Sequence, residues 1–283
     1  MLAETSQGDD WQYPIAVAVG PDDTIYVADR NLPGLWTLRD GRSAILVQAS
    51  ARFRTPLNAV RCVTVSSDGT LYAGDSASRE VFKVDADGAL TQLTAPQPLL
   101  THTKLTDDLS FNPDHFGLVG IPMAIAVNRG GDLFVTDTEL QRVWKVPAGT
   151  RDPQEFLLVS GPRGIAVDDA DNVWVLSLQA PQLQRVAPDG TATSIVTTLT
   201  FEFPHQIALR PDGTAVVSDG YARSIWTVSA DGKAEKWISG DPLVNPVGIA
   251  FHGENLLIID PRANALFSAA PDGTLTTVFS AAK

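Results

Sequence analysis

Residues 121–137, IPMAIAVNRGGDLFVTD, decide the fold of this chain. An apolar run from Ile121 to Val127 meets a Gly130-Gly131 turn, and a second run from Leu133 to Val135 closes on Asp137. Short runs of this kind around a glycine turn read as a β-hairpin, because glycine supplies positive φ at low steric cost. The arrangement recurs five times: YPIAVAVGPDDTIYVAD from Tyr13, AVRCVTVSSDGTLYAGD from Ala59, GPRGIAVDDADNVWVLS from Gly161, FPHQIALRPDGTAVVSD from Phe203 and NPVGIAFHGENLLIID from Asn245. The closing residues are Asp29, Asp75, Asp137, Ser177, Asp219 and Asp260, with steps of 46, 62, 40, 42 and 41. The period is therefore about 41 residues, with an insertion after the second unit.

Each unit continues into a second hairpin, turning at Asp40-Gly41, Asp87-Gly88, Ala148-Gly149, Asp189-Gly190, Asp231-Gly232 and Asp272-Gly273. Two hairpins make four short strands rich in Val, Ile, Leu, Trp and Phe. Such a small sheet leaves two apolar faces wet, and stacking neighbours around an axis buries both. The expectation is an all-β, six-bladed β-propeller with four antiparallel strands per blade, a single domain over residues 1–283. The blades fall at about 13–47, 57–94, 121–158, 161–197, 203–239 and 245–279, with a lead-in over 1–12 and an insertion over 95–120. The ring is expected to close by packing blade one on blade six.

Composition narrows the function. The 283 residues carry 21 Lys+Arg against 33 Asp+Glu, a net charge of -12, with no basic block to attract nucleic acid or anionic lipid. The longest nearly apolar stretch, Phe116 to Val127, is too short to span a bilayer. Cys62 stands alone, so an internal disulfide or a Cys-rich zinc site is excluded. The opening MLAETSQGDDW shows no signal-peptide pattern, a monomer is expected, and the compartment stays open.

The pattern P-x-(G)-I-A-V-x-x-x-G-x-(I/L/V)-(Y/F/W)-V-x-D, best carried by Ile121 to Asp137 and Gly161 to Val175, resembles the NHL repeat and the SMP-30/gluconolactonase group of propellers. The resemblance covers residues 13–279. It implies the six-bladed fold, and it spans lactonases, lyases, sensors and interaction modules, so it does not choose an activity.

Alternating strand direction puts the longer connections on one face. The largest, Ala95 to Gly120, is expected to act as a lid over the central channel and carries the lid candidates His102, Asp107, Asp108 and His115. On the same face, the first residue after each Pro position should point to the axis: Ile15, Arg61, Met123, Arg163, His205 and Val247. Arg61, Arg163 and His205, with Met123 beside them, suit an anionic group, since guanidinium binds carboxylate or phosphate through paired N–H donors. The plainer reading is that the arginines pair with aspartates of neighbouring blades.

In gluconolactonase-like proteins the resemblance implies a divalent metal held by Glu, Asn and Asp at these axial positions. No carboxylate or amide stands there in this chain, so no cofactor is expected; the alternative left open is a divalent metal in a distorted site that uses Asn58 and Asn245, which lie near in sequence. The segment FPHQIAL also resembles a repeat of the peptide-amidating lyase propeller, whose corresponding His binds zinc; only His205 matches, and zinc needs three protein ligands.

The five closing aspartates read as structural acceptors for loop backbone, neutralised by Arg30, Arg79, Arg142, Arg223 and Arg262, with Ser177 managing by a hydroxyl in blade four. Trp36, Phe82, Trp144, Trp226 and Phe267 read as packing between blades. Three functions compete: binding of a small anionic molecule or peptide at the lidded mouth, a hydrolase or lyase using His205 with a lid residue, and a protein-interaction scaffold. The binding reading leads because polar anchors are present without a full catalytic set.

Overall fold

The structure is a computed structural model, and it describes residues 11–31, 34–49, 55–94 and 119–280. Among these residues 24 strands form six separate four-stranded sheets, each antiparallel and in chain order from the inner strand outward. The inner strands are Pro14–Val19, Val60–Val65, Pro122–Val127, Pro162–Val167, Pro204–Leu209 and Gly248–His252. No helix of the described residues is long and apolar enough to cross a membrane.

The six-fold count follows from the packing. Six apolar clusters lie one at each junction between successive blades. Side chains such as Leu35, Leu183 and Ile258 are fully shielded, each worth about 1.5–3 kcal/mol of burial. The recurring aromatics sit in these junctions as expected: Trp36, Phe82, Trp144 and Phe267 are buried, and Trp226 is half-buried. Outer strands such as Gln154–Leu158 keep most of their side chains in water, so apolar density falls from the axis to the rim.

Blade six closes on blade one, where Val17, Val27 and Trp36 pack with Leu257, Ile259 and Leu266. The inner strands meet there so closely that a Cβ on Gly248 would lie 2.9 Å from the Ile15 carbonyl oxygen. Trp11, from the segment read as a lead-in, is 1% exposed in the same cluster and lies 4.2 Å, ring to ring, from Phe279. Its carbonyl accepts Asn264 Nδ2–H at 3.1 Å. The end of that segment is thus part of the seam.

The closing aspartates do hold loop backbone, and one expectation about them is corrected. Asp137, wholly buried, accepts Gly120 N–H, Ile121 N–H, Glu139 N–H, Leu140 N–H and Trp144 Nε1–H. Asp219 and Asp260 hold the equivalent amides of their blades. The arginines that follow do not neutralise them. Arg79 pairs with Glu139, Arg142 with Glu155 and Arg223 with Asp241, while Arg30 turns to the axial mouth. Three N–H donors on Asp219, four on Asp260 and five on Asp137 already compensate these carboxylates, so a guanidinium is not required. Ser177 works by its hydroxyl, donating to Ser160 O at 2.6 Å and accepting Gln179 N–H at 3.0 Å.

Candidate functional site

A local irregularity of the inner strands creates the site. In blades one to five the ladder between inner and second strand skips at the first residues: Pro14 pairs with Asp29 and Ala16 with Ala28, leaving Ile15 out. Arg61 and Met123 are left out in the same way, as are Arg163 with Gly164 and His205 with Gln206. An extra residue in one strand re-aims its side chain and raises local twist. The bulges turn these side chains off the blade surface and toward the axis.

All six axial positions read from the sequence, Ile15, Arg61, Met123, Arg163, His205 and Val247, line one cavity of about 160 Å³ at the mouth of the channel. Asn245, noted in the sequence as lying near these positions, lines it too, and so does Arg30, which sequence reasoning assigns to the closing aspartate instead. Arg30 follows the closing aspartate of blade one, and the equivalent residues of two other blades also reach the mouth: Pro261 lines it and Ser76 accepts from Arg61. The lid candidates His102, Asp107, Asp108 and His115 lie outside the described residues.

The charge balance of the mouth is one-sided. Three guanidinium groups line it, and none of its described lining residues is a carboxylate. None of the three forms an ion pair with a described residue, although nine pairs occur elsewhere among those residues. Among the described residues, then, neither Arg61 nor Arg163 forms an ion pair with an aspartate of a neighbouring blade. Arg61 donates from Nε to Ser76 Oγ at 3.2 Å, and Ser76 Oγ in turn donates to Ala59 O. Burial, and then the charge of Arg30, lowers the Arg61 pKa below its ordinary value. Burial, and then Arg61, brings Arg163 down to about 10.

Arg163 is held from several sides. One Nη lies 2.7 Å from His205 Nδ1, Nε reaches Pro204 O at 3.4 Å, and the guanidinium stands 5.0 Å over the Phe203 ring. Phe203 stacks on Tyr221 at 4.6 Å and meets the His205 ring edge-on at 5.0 Å. From the third blade, the buried Thr136 donates its hydroxyl to Arg163 O at 2.6 Å and accepts Ala124 N–H. Ser218 does the same for Val247 O and Gln206 N–H. These two hydroxyls tie neighbouring inner strands together behind the cavity.

The contact with Arg163 fixes the state of His205. Guanidinium only donates, so Nδ1 accepts and the ring proton sits on Nε2. Burial first, and the Arg163 charge second, push the His205 pKa down to about 3. The imidazole is neutral at physiological pH, with Nδ1 occupied and Nε2–H available as a donor. Near it, a Cβ on Gly220 would fall 2.8 Å from His205 Nε2 and 2.5 Å from Asn245 Oδ1, so only glycine leaves both in place.

The described lining offers a divalent cation only neutral side-chain oxygens, those of Tyr13, Gln206 and Asn245, beside three guanidinium groups and an imidazole whose Nδ1 is taken. Among the described residues no group of three His, Cys, Asp or Glu side chains converges on a metal-sized site. Cys62 is buried, with burial raising its thiol pKa to about 12, which leaves it unreactive.

Fold and mouth together define a six-bladed propeller whose described axial lining is cationic. Compared with known proteins, the chain has the architecture of lyase and gluconolactonase propellers. It is 30% identical over 169 residues to a virginiamycin B lyase of Nocardia farcinica (strain IFM 10152), a match that spans 54% of this chain and 60% of that protein. A streptogramin B lyase structure superposes with a TM-score of 0.70 at 18% identity, over 98% of this chain and 85% of the other. A gluconolactonase of Xanthomonas campestris gives 0.72 at 16%, over 95% and 87%. At such identities the structural likeness establishes the fold alone. No family model matches the chain.

Proposed function

We propose that this propeller binds a small carboxylate-bearing molecule at its axial mouth, with Arg61 and Arg163 as the anchors. One observation carries this reading: both guanidinium groups face a cavity without an ion-pair partner among the described residues, in a chain of net charge -12. A buried or half-buried guanidinium left uncompensated is costly, and an incoming carboxylate removes that cost through charge-assisted, paired hydrogen bonds. His205 adds a neutral Nε2–H donor, and Thr136 holds the Arg163 backbone in position. Titration calorimetry with acetate and benzoate tests it: saturable heat is expected from the wild type and a loss of at least about 10-fold in affinity from Arg61→Gln, about 1.4 kcal/mol. Equal affinities would refute the assignment.

The match to a virginiamycin B lyase favours a second reading, in which the bound molecule also reacts by elimination or hydrolysis. The mouth offers N–H donors suited to negative charge developing on an oxygen. His205 does not serve as the base at neutral pH, because Nε2 already carries its proton and Nδ1 is engaged. These residues would thus supply the charge-stabilising half of such a reaction. Turnover of virginiamycin B or of gluconolactone by the purified protein supports this reading; binding of carboxylates without turnover of either favours the first.

A further inference from the structure

The third arginine of the mouth points to the valence of the ligand. Arg30 comes from the loop after the second strand of blade one, Arg61 from the inner strand of blade two, and Arg163 from that of blade four. Arg61 stands between the other two electrostatically, since its charge state responds to Arg30 while that of Arg163 responds to Arg61. The three thus form one field rather than separate surface charges. A single carboxylate satisfies one or two guanidinium forks and leaves positive charge over in the same cavity.

Other features were weaker as sites. The cleft of about 470 Å³ between blades four and five contains Asp168, Asp169 and Asp212, but Asp168 is already engaged by Asn172 and Trp174. The lower channel, about 260 Å³, is walled by the same inner strands and shows no convergent charge. The arginine field has what both lack: three like charges facing one cavity, none of them in an ion pair with a described side chain, although the Asp75 carboxylate acts on Arg61 from a distance.

We infer that the ligand of this mouth is a dianion, a dicarboxylate or a phosphate monoester, with Arg30 and Arg61 engaging one end of its charge and Arg163 the other. This rests on the anion-binding reading above and adds the ligand's charge to it. Phosphate carries its two charges on one centre, and a dicarboxylate carries them on two. Arg30 is exposed at the rim and Arg163 is half-buried, so the positive charge is spread over the mouth and not held at one point.

The test is a calorimetric titration of the full chain at constant ionic strength with acetate, succinate and methyl phosphate, repeated with Arg30→Gln. Expected is a dianion affinity at least about 10-fold above that of acetate, about 1.4 kcal/mol, with the ratio falling to about 3 or less in Arg30→Gln. Which of succinate and methyl phosphate leads decides between the two sources. Acetate binding as tightly as both dianions would overturn the inference while leaving the anion site standing. No binding of any of the three would overturn the anion site itself. Arg30 lies exposed on a loop, so its replacement leaves the core intact, and an unchanged thermal midpoint confirms that the variant is folded.

Discussion

Replacing Arg163 by methionine separates a ligand-binding arginine from a structural one. A methionine fills a similar volume against Phe203 and removes the charge. The fall of the Arg163 pKa from 12.5 to about 10 corresponds to roughly 3 kcal/mol of penalty on the charged form, and partial exposure reduces this to about 1–2 kcal/mol. Against that gain stand the lost hydrogen bonds to His205 Nδ1 and Pro204 O, together about 1–2 kcal/mol. The two terms nearly cancel, so urea denaturation is expected to move by no more than about 1 kcal/mol in either direction. Breaking a buried structural ion pair would instead cost about 3–5 kcal/mol. Ligand binding should change far more, by about 10- to 100-fold in calorimetric affinity for a carboxylate. For the wild type, ligand at 100 times its dissociation constant should add about 2.7 kcal/mol of stability, and the variant should not show it at that concentration. A stability loss above about 3 kcal/mol with unchanged carboxylate affinity would refute the reasoning.

Three further outcomes are expected. Asp137→Ala strips five donors, two buried and three part-buried, of their acceptor and should cost about 4–6 kcal/mol by denaturant titration, leaving acetate affinity within about 3-fold below its melting point; lost binding at normal stability would contradict the structural role. His205 titrates near 6.5 unfolded and about 3 folded, so below pH 6.5 the unfolded chain binds a proton that the folded chain refuses. Its contribution is therefore full above pH 6.5 and is lost as pH falls toward 3, roughly 2–4 kcal/mol in all. His205→Gln, which can still accept from Arg163, should flatten the pH dependence of stability between 6.5 and 3; identical curves for variant and wild type would show that His205 is not the source. Thr136→Val removes the tether on the Arg163 carbonyl and should lower stability by about 1–2 kcal/mol and carboxylate affinity several-fold, with Thr136→Ser restoring both. Restored stability without restored affinity would separate Thr136 from the site.

The fold was legible because it is written as a period. Paired hairpin turns at 41-residue spacing fix strand number and order, and the residue after each Pro position marks the axis even where Pro is missing, as at Val60-Arg61. The six axial residues therefore converge as read. Arg30 was not legible, because the direction of a side chain beyond the strand end depends on loop path rather than on alternation. Nor was the state of His205. Sequence places Arg163 and His205 42 residues apart on successive blades, but only bulges in both inner strands bring Nη2 and Nδ1 to 2.7 Å. Reading the arginines after the closing aspartates as counterions failed for a related reason. The loop amides, invisible in side-chain chemistry, already satisfy the carboxylates.

The most direct measurement is a crystal structure of the protein grown with 4-bromobenzoate, with the bromine located by its anomalous scattering. The account predicts a bromine peak at the axial mouth, with the carboxylate within hydrogen-bond distance of Arg61 and Arg163 and His205 Nε2–H turned to it. Bromobenzoate bound elsewhere, with the two guanidinium groups turned into bulk water or paired with the protein's own carboxylates, would contradict it.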